Sequence, residues 1–191
     1  MLLSHAKQPF EDVRVQMQDW PKIKNDSSMF EFGQMPMVEL ENGQRITQTK
    51  AIVRSLGQRF GYYSSNPKEA WVIDSTIDFV SDEIGKFAGL LFASPDKKTE
   101  LLFELLTKQL PAILATIEKR VTGKKFIVGD RITIADFVLG SLLFSTVANE
   151  NHPNYYAFQH ILKSYPATSA YIDNFKNEMM EYLAKRGPAP F

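Results

Sequence analysis

The residues of this sequence able to do chemistry are few, and their types narrow what that chemistry is. Cysteine is absent, which excludes thiolate catalysis, thiolate metal ligation and disulfide stapling. The three histidines, His5, His152 and His160, show no metal-ligand spacing and read as polar surface or packing residues, so no metal is expected. Trp20 and Lys24 stand at i, i+4, so one helical turn would put an indole N–H and an ammonium on the same face. Gln48 and Thr49 lie where strand-like sequence gives way to helical sequence, a junction whose free N–H groups and helix dipole suit an anion. Asp74, Asp78 and Asp82 recur at i, i+4 spacing along one helix face.

Thr133-Ile134-Ala135-Asp136 is a different kind of signal. Thr133 can cap a helix start while Asp136 reaches back to the Thr133 N–H, with Ile132 and Phe137 as a hydrophobic staple. A cap of this kind contributes about 1 kcal/mol. Asp136 is therefore read as a folding device and not as a catalytic acid.

The elements that must position these groups change character near residue 62. Phe10 to Gln16 alternates apolar and polar at Val13 and Val15 and predicts a short strand. Met35 to Leu40 and Gln44 to Ile46 predict two more, joined by Glu41-Asn42-Gly43, whose Asn-Gly step supplies the positive φ angles of a tight antiparallel hairpin. From Thr49, read as an N-cap, Ala51, Ile52, Val53, Leu56 and Phe60 recur at helix spacing until Gly61 stops the helix. After Pro67 the pattern is helical throughout, over 67–92, 97–121, 133–148, 154–164 and 167–185. A small α/β unit over 1–61, a linker over 62–66 and an all-helical unit over 67–191 are the expected domains.

Composition removes other classes of function. Twenty-two basic residues balance 22 acidic ones, so no net field draws the chain to nucleic acid. The longest apolar runs, such as Phe137 to Phe144, are too short to span a bilayer. Met1-Leu2-Leu3-Ser4-His5 lacks the basic and apolar regions of a signal peptide, and a cytoplasmic address is expected.

Phe32-Gly33-Gln34-Met35-Pro36, the hairpin, and Gln48-Thr49-Lys50-Ala51-Ile52 together resemble the glutathione-binding half of cytosolic glutathione transferases. Asp19-Trp20-Pro21-Lys22-Ile23-Lys24 is similar to the sigma-like members, and the Thr133–Asp136 box matches the family's helical domain. The resemblance implies a thioredoxin-like N-terminal domain followed by an all-α C-terminal domain, a homodimer, and glutathione as substrate or cofactor. It implies a cis Met35–Pro36 bond that exposes the Met35 main chain to glutathione. It also implies the γ-glutamyl carboxylate at the Thr49 backbone and hydroxyl, with Gln34 and Gln48 beside it, and the glycine carboxylate on Lys24 and the Trp20 indole. Asp82 would reach the γ-glutamyl ammonium across a dimer, and Ile84 and Phe87 would wall the site of a hydrophobic electrophile. Conjugation in detoxification and prostaglandin-type isomerisation are both activities of such a family.

One departure bears on activity. The family opens with a strand ending in a tyrosine whose hydroxyl favours the glutathione thiolate, the reactive nucleophile. Met1-Leu2-Leu3-Ser4-His5-Ala6 instead matches the back half of the family's first helix, so the first strand is expected to be missing. An internal start on a longer natural protein is the favoured account, and a genuinely truncated form is the other. Tyr62 and Tyr63 belong to the linker and do not replace the lost residue. A catalytically impaired glutathione-binding or crystallin-like structural relative is therefore the competing expectation.

Overall fold

The structure is a computed structural model that describes residues 1–186, with Leu91 known by its backbone alone. The chain divides into two compact units, one spanning Leu2–Tyr63 and the other taking Met1 with Ser64 onward. Each is described by itself.

The first unit is small and sparsely packed. A single turn, α1 (Leu2–His5), is followed by α2 (Trp20–Ile23), β1 (Met37–Glu39), β2 (Arg45–Thr47) and α3 (Thr49–Phe60). The two strands pair antiparallel, Met37 opposite Thr47, Val38 opposite Ile46 and Glu39 opposite Arg45. Their turn is the expected Glu41-Asn42-Gly43 connection, the Leu40 N–H donating to the Gln44 carbonyl at 2.8 Å, but it takes one positive φ where the Asn-Gly step suggested more. The Gly43 N–H closes onto the Leu40 carbonyl at 2.8 Å, the Asn42 side chain accepts from the Gln44 N–H at 3.0 Å, and only Gly43 takes a positive φ, of 80°. That loop has glycine at its one left-handed position.

Two expectations for this unit are corrected. Phe10 to Gln16 forms no strand, because among the described residues no strand lies beside it and a strand exists only as a member of a ladder. Thr49 is not the N-cap of α3. Gln48 is, since its carbonyl already accepts the first helical bond, from the Ile52 N–H at 2.9 Å. Helix α3 buries Ile52 and Leu56 and ends at Gly61, in the left-handed conformation at φ 78°.

The second unit holds most of the buried apolar side chains. It comprises α4 (Pro67–Leu91), α5 (Pro95–Glu104), a π-turn over Leu105–Gln109, α6 (Leu110–Val121), α7 (Ile134–Ser145), α8 (Tyr155–Leu162), α9 (Pro166–Glu178) and α10 (Met180–Arg186). Asn66 caps α4 by accepting from the Lys68 N–H at 2.9 Å, and Pro67 occupies the first turn, where its missing N–H costs nothing. The helix expected over 97–121 is interrupted. Pro111 has no N–H for the carbonyl one turn back, and the wider π-turn immediately ahead of it relieves that clash.

Helix α7 is the centre of this unit. Ile134, Ala135, Phe137, Leu139, Leu142, Leu143 and Phe144 are all buried, and α7 packs on α4 and α9. Each of the larger side chains contributes roughly 1.5–3 kcal/mol on burial. Helix α6 shows a narrower stripe, Leu110, Ile113, Leu114, Ile117 and Val121, and packs against α9. Glu118 of α6 caps α9 from outside, accepting from Ala167 N–H at 2.9 Å and from Thr168 N–H and Oγ1 at 2.7 Å each. The last helix expected, over 167–185, is two helices that break at Met179.

Candidate functional site

The site begins at α2. Its turn is helical, with the Lys24 N–H donating to the Trp20 carbonyl at 3.0 Å, so both side chains belong to one turn. The Trp20 ring packs edge-on against the buried Phe30, centroids 5.0 Å apart, which anchors the turn to the core. The following loop is held by Asp26. Its carboxylate accepts from Ser28 N–H at 2.9 Å and Ser28 Oγ at 2.6 Å, and these bonds hold its pKa below the usual value.

Gly33 links this loop to the next. It lies at φ 59°, and a side chain there would stand 3.4 Å from the Lys24 carbonyl. The approach brings the Gly33 backbone, which leads into Gln34-Met35-Pro36, close to the end of the 20–24 turn. The Met35–Pro36 peptide is cis, and Met35 is exposed immediately ahead of β1.

Gln48 closes the arrangement. It is in the left-handed half of backbone space, φ 69° and ψ 107°, where a side chain costs of order 1–3 kcal/mol. Its side chain does not cap α3. Instead the Gln48 Nε2 donates to Gln34 Oε1 at 3.0 Å, across the mouth of the hairpin. The exposed start of α3 at Thr49 therefore has no acceptor from its N-cap side chain, which suits it to an outside anion.

Contacts thus run in sequence from Trp20 through Lys24, Gly33, Gln34 and Gln48 to Thr49, all within the Leu2–Tyr63 unit. Asp82, Ile84 and Phe87 lie instead on α4 of the helical unit. Asp82 is exposed, and Ile84 and Phe87 stand at i, i+3 on that helix, Ile84 being 44% exposed. Sequence reasoning missed the left-handed Gln48 and the role of Gly33. A glycine before Gln-Met-Pro was a signal for the second, and nothing in the residue type announced the first.

Thr133 and Asp136 are wholly buried and form the complete capping box, Thr133 N–H to Asp136 Oδ2 at 2.7 Å and Thr133 Oγ1 to the same oxygen at 2.9 Å. The other carboxylate oxygen accepts from Ile127 N–H at 2.9 Å and from the Tyr171 hydroxyl at 3.1 Å. Burial pushes the Asp136 pKa up against those bonds, and it pushes the Tyr171 phenol well up. Among the described residues no group of His, Asp or Glu side chains is placed to hold a metal. His5 Nδ1 and the Tyr62 hydroxyl form a 2.7 Å hydrogen bond, His152 Nδ1 accepts from the Asn154 N–H at 3.0 Å, and His160 is exposed. No helix among the described residues is long and apolar enough to cross a membrane.

A small α/β unit ahead of a helical one, with a cis-proline loop facing an open helix start, is a thioredoxin-like domain joined to an all-α domain. The comparisons with known proteins agree. Residues 81–186 match the glutathione S-transferase C-terminal domain. Glutathione S-transferase 2 of Manduca sexta is 31% identical over 183 residues, covering 91% of this chain and 88% of the relative. S-crystallin 4 of Enteroctopus dofleini is 28% identical over 207 residues, covering 100% and 91%. The solved structure of prostaglandin synthase D of Nilaparvata lugens superposes with a TM-score of 0.80 at 25% identity, covering 99% of this chain and 90% of that one. The chain belongs to the glutathione S-transferase family.

Proposed function

We propose that this chain binds glutathione in the Leu2–Tyr63 unit and transfers its thiolate to hydrophobic electrophiles or uses it in an isomerisation, as a sigma-like member of its family. The observation that carries the reading is the Gln48 side chain, turned away from its own helix and bonded to Gln34 at 3.0 Å, which leaves the α3 start to an external carboxylate. In this reading Thr49 takes the γ-glutamyl carboxylate through its N–H and hydroxyl, with Gln34 and Gln48 alongside. The Met35 main chain pairs with the peptide of glutathione. Lys24 supplies charge, and Trp20 an N–H, to the glycine carboxylate. Asp82 serves the γ-glutamyl ammonium of a partner subunit in a homodimer, and Ile84 and Phe87 border the electrophile. The setting is cytoplasmic.

A second reading has its own support. An S-crystallin, S-crystallin 4 of Enteroctopus dofleini, is among the relatives and is matched over the whole of this chain. On this reading the chain binds glutathione with little turnover and serves as a binding or structural protein. Glutathione resin and a chromogenic conjugation assay separate the two. Retention with turnover supports the enzyme, and retention without turnover supports the second reading. Failure of the folded chain to bind the resin overturns both.

A further inference from the structure

The glutathione site proposed above has two ends on different segments. Trp20 and Lys24 belong to the α2 turn, while Gln48 and Thr49 follow β2. Glutathione carries a carboxylate at each of its own ends. It is held well only if the separation of those segments is fixed before it arrives, since ordering them on binding costs affinity.

From α2 to Gly33 the backbone is one hydrogen-bonded run. The Asp26 N–H donates to the Ile23 carbonyl at 3.0 Å, the Met29 and Phe30 N–H groups donate to the Asp26 carbonyl at 3.0 and 2.8 Å, and the Gly33 N–H donates to the Phe30 carbonyl at 2.8 Å. The Asp26 carboxylate braces the middle of the run through Ser28, and the Trp20 ring packs on Phe30. A run braced in this way shifts as a unit, so its place is set by whatever ties it to the hairpin.

Arg45 makes such a tie. It stands on β2, three residues ahead of Gln48 and opposite Glu39 in the ladder. Its Nε donates to Glu39 Oε2 at 2.7 Å, and its Nη1 donates to the Ser28 carbonyl, 17 residues back in the chain, at 2.8 Å. Glu39 fixes the guanidinium on the sheet while the other arm of the fork grips the loop. The Arg45 charge also acts on Asp26, whose carboxyl the Ser28 bonds hold below its usual range. The Arg45 and Glu39 side chains are 36% and 52% exposed, and an ion pair so exposed adds little to folding stability. We propose that Arg45 is a positioning residue that sets the spacing between the two carboxylate-binding ends of the site and so tunes it to the length of glutathione. The inference rests on the glutathione reading above. Arg45 does not touch the ligand in this account; it acts through the 24–33 loop on Trp20 and Lys24.

Titration calorimetry on the full chain tests it, with glutathione and with its glycyl monoethyl ester, which keeps the peptide and lacks the glycine carboxylate. Wild type that binds neither ligand overturns the glutathione reading and this proposal together. Arg45→Ala is expected to weaken glutathione about fivefold or more and the ester by less than about twofold, a ratio that general loosening of the fold would not move. Its melting temperature is expected to stay close to that of wild type. In a Lys24→Ala background the same substitution is expected to add little, because it acts through an end already removed. Arg45→Lys keeps the charge without the fork and is expected to restore glutathione binding only in part. Where wild type binds glutathione, equal losses of both ligands, no loss of either, or full additivity with Lys24→Ala overturns the proposal and leaves the glutathione reading standing. Complete restoration by Arg45→Lys reports charge alone and also overturns it.

Discussion

Asp136→Ala should be among the most destabilising single substitutions in this chain, and the structure supplies the size of the effect. The carboxylate is fully buried and accepts from Ile127 N–H, Thr133 N–H, Thr133 Oγ1 and the Tyr171 hydroxyl. Alanine leaves the two N–H groups and the buried phenol without acceptors, each at about 1–3 kcal/mol. Allowing for relaxation, the loss is about 3–6 kcal/mol, against a total stability of roughly 5–15 kcal/mol. With about 2–4 °C per kcal/mol for a chain of this size, the melting temperature should fall by roughly 6–24 °C. Urea unfolding followed by far-UV circular dichroism, which chiefly reports the helical unit, measures it. Asp136→Asn keeps one acceptor oxygen and should fall between wild type and alanine. A loss below about 1 kcal/mol for the alanine variant would show that water or rearrangement satisfies these donors, and the reasoning would be wrong.

Other consequences follow from particular contacts. Gln48→Gly should relieve the left-handed strain and stabilise the chain by about 1 kcal/mol, while weakening retention on glutathione resin because the bond to Gln34 is lost; thermal melts and elution profiles read the two opposite effects. Gly140→Ala should cost about 1–3 kcal/mol, since the added Cβ would lie 2.0 Å from the ring of the buried Phe175, and chemical denaturation checks this. Partial burial pushes the Glu118 carboxyl up, but the bonds from Ala167 and Thr168 outweigh it and hold the pKa below its ordinary value. A carboxylate lowered on folding contributes stability that is present above its unfolded pKa, roughly 4.3, and is lost as pH falls through the folded value. Glu118→Gln should therefore lower stability at neutral pH and flatten its acid dependence, as melts taken across that range would show. On the proposed binding role, Lys24→Ala should weaken glutathione binding, more at low salt than at high, by titration calorimetry.

The sequence by itself determined what depends on near neighbours along the chain. Thr133 and Asp136 announced their box because a cap and the residue three ahead meet through local helix geometry. Pro67 marked the start of α4, and the Asn-Gly step marked the hairpin, for the same reason. The proposed binding residues Trp20, Lys24, Gln34, Gln48 and Thr49 were legible as a set through family resemblance, not through their own spacing. Only the tertiary structure decided how they meet. Gln48 turns its side chain to Gln34 because residues distant in sequence come together at the hairpin's mouth, and no local propensity places a glutamine at positive φ. Asp136 gained Ile127 and Tyr171 as donors from elements 9 and 35 residues away. Phe10 to Gln16 carried the alternation of a strand and formed none, because alternation is a property of one segment while a ladder requires a second beside it.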